Sequence, residues 1–193
     1  METTIGQIHC ITESRPIETT ESSTIGVDID LVAAARRGDR AAFGRLYDQF
    51  APMIHGILLS RVSRSDAEDL VQDVFLSALK QLHTLRKDAA FPGWLATIAR
   101  NRARDFHRRA RDTEELPDNL VARNGHEGES GVILAVIRSL PEAYRETLIL
   151  RLVEGMTGDE IASRTGLTPA SVRVNLHRGM KQLQEKLRGR RRP

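Results

Sequence analysis

The chain has 193 residues, 40% of them hydrophobic and only 4% aromatic, with a formal net charge of +3. That length allows one ordinary domain or two small ones, and aliphatic cores with few aromatics suit small helical units better than a large sheet protein. A single cysteine, Cys10, excludes an intrachain disulfide framework and a multi-cysteine zinc site; with no apolar run of roughly 18 residues and no signal pattern, a soluble cytoplasmic protein is expected.

Residues 1–27 are rich in Thr, Ser and Glu without a sustained period, and read as a disordered leader in which His9-Cys10 is incidental. From Asp28 the pattern turns helical. Leu31 to Arg37 forms a short predicted helix closed by Gly38, and Asp39 is placed to cap the next. There Phe43, Leu46, Tyr47 and Phe50 recur at helical spacing as core positions. Pro52 is expected to start or kink a further segment through Ile54, Ile57 and Leu58.

Ser65 or Asp66 opens the following helix, whose buried stripe is Leu70, Val71, Val74, Phe75, Ala78 and Leu82. Asp66, Asp69 and Asp73 line up on the exposed side, with Gln72 and Leu76 at its edge. Acids favour a helix amino terminus, which accounts in part for Asp66 and Asp69. Asp73 sits too deep for that, and no basic residue lies between Ser65 and Ala78. An acidic face with an apolar edge suits docking onto a basic protein surface. A metal is the rival occupant, but aligned acids without a second carboxylate cluster or a nearby His make a poor site.

After a loop-like stretch, His83 to Ala90, comes a helix that begins at Pro92 and runs through Arg111. Leu95, Ile98, Ala99, Ala103, Phe106 and Ala110 share one face; Arg100, Asn101, Arg104, Arg108 and Arg111 gather on the other. Only Asp105 offsets these arginines, so ion pairing within the helix does not account for them. Guanidinium groups grip phosphate oxygens with two parallel hydrogen bonds, and the helix reads as one that faces nucleic acid.

Residues 112–131 change character: Asp112, Glu114, Glu115, Asp118, Glu127 and Glu129 face only Arg123, among Pro and Gly. This is a flexible acidic linker between a first domain at 28–111 and a second at 132–188. In the second, Ile133 to Leu140 and Pro141 to Val153 are predicted helices. Thr157 to Arg178 then has helix-turn-helix spacing: Ile161 and Ala162, the turn at Gly166, and Val172 and Leu176. Thr168 caps the second of these helices and Pro169 suits its first position. Val172, Leu176, Met180, Leu183 and Leu187 hold it down, leaving Arg173, Val174, His177 and Arg178 free, as a major-groove helix requires. The basic tail, 189–193, adds phosphate affinity without sequence information.

This all-α arrangement, two small helical domains joined by an acidic linker, resembles the bacterial RNA polymerase sigma factors of the extracytoplasmic-function group. The resemblance is carried by Asp66-Ala-Glu-Asp-Leu-Val-Gln-Asp-Val-Phe75, by Phe91-Pro-Gly-Trp-Leu-Ala-Thr-Ile-Ala-Arg-Asn-Arg-Ala103, and by Leu140-Pro-Glu142 with Ile161-Ala162, Val172-Arg173 and Leu176-His-Arg178. It implies that Asp66, Asp69, Gln72, Asp73 and Leu76 dock core RNA polymerase. It implies that Arg86, Lys87, Trp94, Arg100, Asn101, Arg104 and Arg108 meet the minus-ten element of promoter DNA, with the His83–Ala90 loop capturing a flipped base. Thr168, Ser171, Arg173, Val174, His177 and Arg178 would meet the minus-thirty-five element. An anti-sigma factor is a further implied partner; no cofactor, metal or catalytic residue is implied. Asn175 stands where the family often has a basic residue, Val174 where it often has Ser, and Gly179 replaces a common Ala.

Two other functions fit parts of the chain. A helix-turn-helix regulator with a partner-binding first domain explains the second domain but leaves the arginine helix and acidic face without a purpose. A metal-dependent nucleic-acid enzyme would use Asp66, Asp69 and Asp73, but no phosphate-cradling loop, His-Glu-x-x-His pair or nucleophile elbow accompanies them.

Overall fold

A computed structural model describes residues 27–112 and 129–190; within them eight α-helices and two 3₁₀ turns follow one another, with no strand. Helix α1, Ile29–Arg36, starts where the Asp28 carboxylate accepts from the Leu31 amide at 3.0 Å. Helix α2, Arg40–Leu59, is capped in the same way by Asp39, which accepts from Ala42 N at 3.0 Å. Asp39 therefore caps as expected, but Pro52 neither starts nor separates a helix. It lies inside α2, exposed, while Met53, Ile54, Ile57 and Leu58 around it are fully buried. Each such side chain stabilises the fold by about 1.5–3 kcal/mol, which offsets the one hydrogen bond that proline removes.

Helix α3, Arg64–Gln81, begins one or two residues earlier than the expected opening at Ser65 or Asp66, because Ser63 is the cap: its hydroxyl accepts from Asp66 N at 3.2 Å. The loop after it contains 3₁₀ turns at Leu82–Thr84 and Asp88–Ala90, with Leu85 between them only 4% exposed. Helix α4, Phe91–Asp112, closes the first unit. Leu46 and Phe50 take the core positions expected of them, but Tyr47 does not. It is exposed, with its ring 4.6 Å from that of Phe75 on α3, as suits a ring whose polar end disfavours full burial.

The second unit comprises α5, Glu129–Arg138; α6, Glu142–Leu152; α7, Gly158–Thr165; and α8, Pro169–Arg190. Helix α5 begins inside the span read as linker, and α8 runs into the span read as tail. Residues 113–128, the leader through residue 26, and 191–193 lie outside the described residues. Gly166 joins α7 to α8 at φ 79°, a left-handed conformation that a side chain disfavours. Gly179 brings α8 against α6: a Cβ there would lie 3.0 Å from Tyr144 Cβ and 3.1 Å from Leu148 Cδ1, which gives the departure from Ala a packing reason.

The two units are not separate bodies. Helix α2 packs on α6 and α4 packs on α7, and the buried residues of both units form one apolar cluster. Nothing in the helical periodicity of either unit announces this contact.

Candidate nucleic-acid and partner interfaces

On α3, Asp69, Gln72 and Asp73 are exposed, and Leu76 is 56% exposed. Asp66 differs from its neighbours: it is half-buried and accepts from the Ser63 hydroxyl, so it completes the cap of its own helix. Leu79, one turn beyond Leu76, is also open, as is Tyr47. This apolar margin is wider than the sequence suggested, because Leu79 falls outside the charged row and Tyr47 matched a core spacing. The acids line a groove between α3 and α4 together with Arg102, Asp105 and Arg109. Bases therefore reach the row from the neighbouring helix, although α3 supplies none there. Arg102 donates to the Ser77 hydroxyl, which itself donates to the Asp73 carbonyl at 2.8 Å, tying α4 to α3.

On α4, Leu95, Ala99 and Ala103 are buried, while Asn101, Arg104 and Arg108 are exposed. Arg108 makes an ion pair at 3.2 Å with Asp105, the acid expected to offset the row. Arg104 donates to Asn101 Oδ1 at 3.3 Å, so the Asn101 acceptor is engaged by its own neighbour. Trp94 is half-buried, its ring 5.9 Å from Phe91. Arg86 and Lys87 project from the loop, exposed, whereas Asp88 beside them pairs with Arg36 at 2.7 Å.

Arg100 does not join the open row. Its Nη2 lies 2.6 Å from Glu146 Oε1 and its Nε donates to Oε2 at 3.2 Å, so α6 of the second unit holds it. Arg61 Nη2 reaches the same carboxylate at 2.8 Å. Burial pushes the Glu146 carboxyl up, but hydrogen bonding and charge from Arg100, with those from Arg61, outweigh burial and hold it below its ordinary value.

The helix-turn-helix is built as its turn signals dictate. Thr157 and Glu160 form a reciprocal capping box at the start of α7, and Thr168 Oγ1 accepts from Ser171 N at 3.1 Å at the start of α8. Val172 and Leu183 are buried beneath α8, with Leu176, Met180 and Leu187 packed partly against the core. Thr168, Ser171, Arg173, Val174, His177 and Arg178 are all exposed. Ser171, Arg173, Val174, His177 and Arg178 therefore share the amino-terminal half of one helix, with Thr168 at its cap, an arrangement that fits a groove.

Asp66, Asp69 and Asp73 rise along one helix rather than converging, and among the described residues no three His, Cys, Asp or Glu side chains are grouped to hold a metal ion. No helix among those residues is long and apolar enough to cross a membrane.

Comparison with known proteins agrees with this layout. Residues 46–113 match the family model for Sigma-70 region 2, and residues 130–183 match that for Sigma-70 region 4. The RNA polymerase sigma factor CarQ of Myxococcus xanthus is 32% identical over 79% of this chain and 92% of its own. The extracytoplasmic-function RNA polymerase sigma factor BldN of Streptomyces coelicolor is 30% identical over 88% of this chain and 68% of its own. Among solved structures, CnrH in complex with the cytosolic domain of CnrY superposes with a TM-score of 0.59 at 26% identity, covering 84% of this chain and 97% of that one.

Proposed function

The chain belongs to the extracytoplasmic-function group of bacterial RNA polymerase sigma factors, and on that premise we propose how its surfaces divide the work. It binds core RNA polymerase and directs promoter-specific initiation, reading the minus-ten element with the first unit and the minus-thirty-five element with the second. The bond-making chemistry stays with the polymerase, so the chain itself is not an enzyme. Its place of action is the cytoplasm, with the promoter.

The observation that carries this reading is the pairing of two different surfaces on adjacent helices. Helix α3 presents exposed Asp69, Gln72 and Asp73 beside Leu76, the chemistry of a protein contact. Helix α4 presents exposed Asn101, Arg104 and Arg108, the chemistry of a nucleic-acid contact, with Arg86 and Lys87 at its entrance. Trp94 would serve as a platform at the amino-terminal end of that helix. Arg173, Val174, His177 and Arg178, with Thr168 and Ser171 at the helix start, would contact the upstream element. The functional domains are taken as 28–111 and 132–188, joined through 112–131. An anti-sigma protein is the remaining expected partner, since the related CnrH is held by the cytosolic domain of CnrY.

The test is transcription from a randomised promoter library by core polymerase with and without the chain. Enrichment of templates sharing two spaced elements is expected. A library transcribed equally in both cases would leave only a helix-turn-helix regulator with a partner-binding first domain.

A further inference from the structure

Asp88 is the acid of the loop before α4, and its partner lies on a different helix. Its Oδ1 receives Arg36 Nη1 at 2.7 Å, from 52 positions away in sequence. An acid in the first turn of a helical element ordinarily serves that element's own end. Asp88 opens the 3₁₀ turn Asp88–Ala90, yet no side chain caps that turn. Arg86 and Lys87, the cations nearest to it in sequence, stay exposed. The carboxylate is satisfied from α1 instead.

Arg36 is well placed to hold it. It is the last residue of α1, a helix seated through buried Leu31, Val32 and Ala35, and that helix also packs directly on the 3₁₀ turn. The loop has apolar pins at both ends. Leu85 is buried, and Phe91 is fully buried with its ring 5.4 Å from that of Phe50 on α2. Between the pins, ordering the backbone at Arg86 and Lys87 costs conformational entropy that contacts must offset. The tie from Asp88 to α1 is such a contact. It also acts on charge: a bare Asp88 carboxylate would compete with an incoming phosphate for the two neighbouring cations. With Arg36 as its counterion, both remain available.

We propose that Arg36 and Asp88 are positioning residues for promoter opening. Their ion pair fixes the loop so that Arg86 and Lys87 meet the displaced strand, and it keeps Asp88 from occupying those two cations. The proposal rests on the loop and α4 being the minus-ten reader. It gives a role to α1, which precedes the residues 46–113 matched to Sigma-70 region 2. A partly exposed ion pair contributes modestly, so its effect belongs to the rate of one step and not to the fold as a whole.

Three full-length variants test this: Arg36→Gln, Asp88→Asn and the two combined. Open-complex formation with core polymerase is timed on a duplex promoter selected by the wild-type chain, and on the same promoter pre-melted across its minus-ten element. Each single variant should slow opening of the duplex by about threefold, the size of an exposed ion pair. The double variant should be no slower than either single, because the same pair is lost only once. All three deficits should largely vanish on the pre-melted template, with the melting temperature of the chain nearly unchanged.

Single variants that open the duplex at the wild-type rate would overturn the proposal, as would deficits that multiply in the double variant. Equal slowing on both templates with a lowered melting temperature would assign the pair to the fold alone. A changed base preference in Asp88→Asn would make Asp88 a direct reader. Weaker binding of Arg36→Gln to a single-stranded minus-ten oligonucleotide, with the salt slope reduced by about one, would make Arg36 a phosphate contact. Each of these last three results also overturns the positioning role. Failure of the wild-type chain to open any promoter is a different result, and removes the sigma-factor reading on which the proposal rests.

Discussion

Thr157 and Glu160 hold each other across the first turn of α7: Glu160 N donates to Thr157 Oγ1 at 3.2 Å, and Thr157 N donates to Glu160 Oε2 at 2.8 Å. The backbone N–H of Thr157, then its hydroxyl, hold the Glu160 carboxyl below its ordinary value against a smaller push from burial, with help from Arg164. A carboxylate lowered by folding contributes stability that is complete above its ordinary range and lost as pH falls through the lowered value. The melting temperature should therefore drop as pH falls below about 4.5. Glu160→Gln keeps an acceptor for the same bond and should flatten part of that acid limb. Thr157→Ala should cost about 1 kcal/mol at neutral pH, read from urea unfolding. An acid limb identical in Glu160→Gln would show that the box does not titrate.

The acidic row should serve protein association. Asp69→Lys with Asp73→Lys should weaken binding to core polymerase, measured by competition with a labelled wild-type chain, and leave oligonucleotide binding intact. Asp66→Ala should instead lower thermal stability, since its carboxylate receives the Ser63 hydroxyl at the helix start. Core binding untouched by the double reversal would remove α3 from the docking surface.

Asn101 and Arg104 should part company in promoter selection. Asn101 carries both a donor and an acceptor, whereas Arg104 is exposed beside a row of positive charge. Asn101→Ala should relax one minus-ten position by roughly 1–3 kcal/mol of discrimination. Arg104→Ala should reduce open-complex formation on all promoters alike, because it removes an exposed charge placed to grip backbone phosphates, a contact without sequence information. Identical promoter profiles for Asn101→Ala and wild type would show that this side chain reads nothing.

The loop before α4 should contain one structural and two contact positions. Leu85 belongs to the core, so Leu85→Ala should destabilise the fold by roughly 2–5 kcal/mol and is unsuitable as a probe of strand opening. Arg86→Ala with Lys87→Ala removes only exposed charge. That pair should slow initiation on duplex promoters and be largely rescued on a pre-melted template. A bubble template that gave no rescue would detach the loop from melting.

For the upstream element, Arg173→Ala and Arg178→Ala distinguish base reading from phosphate binding. A base reader should lose roughly 1–3 kcal/mol on its preferred sequence only. A phosphate contact should lower affinity evenly and flatten the salt dependence. Gel-shift titrations on matched and scrambled elements separate the two.

The helix-turn-helix was legible because each of its signals is local. Gly166 and Thr168 act within a few residues of themselves, and the structure places each where its chemistry asks. Boundaries set by competing local acceptors were less legible: Ser63 and Ser65 are both fit to cap, and only three-dimensional placement gives Ser63 the Asp66 amide. Pro52 does not begin a helix for the opposite reason, since burial around it outweighs a local penalty. Arg100 is the clearest case of a role hidden from sequence. Its partner Glu146 is 46 positions away, on a helix whose own pattern gives no sign that a charged residue there is buried. Arg61 escaped notice for the same reason, having no charged row around it.

The link from Arg102 through Ser77 to the Asp73 carbonyl has a consequence for where transcripts begin. It ties the helix proposed to dock the polymerase to the helix proposed to read the minus-ten element. The first unit then acts as a ruler of fixed length: once α3 is seated, the distance from the polymerase catalytic centre to the bases under Asn101 is set by helix packing. Promoters differing by one base pair between that element and the start site would not be accommodated by stretching this unit. They would shift the first transcribed nucleotide by the same one base pair.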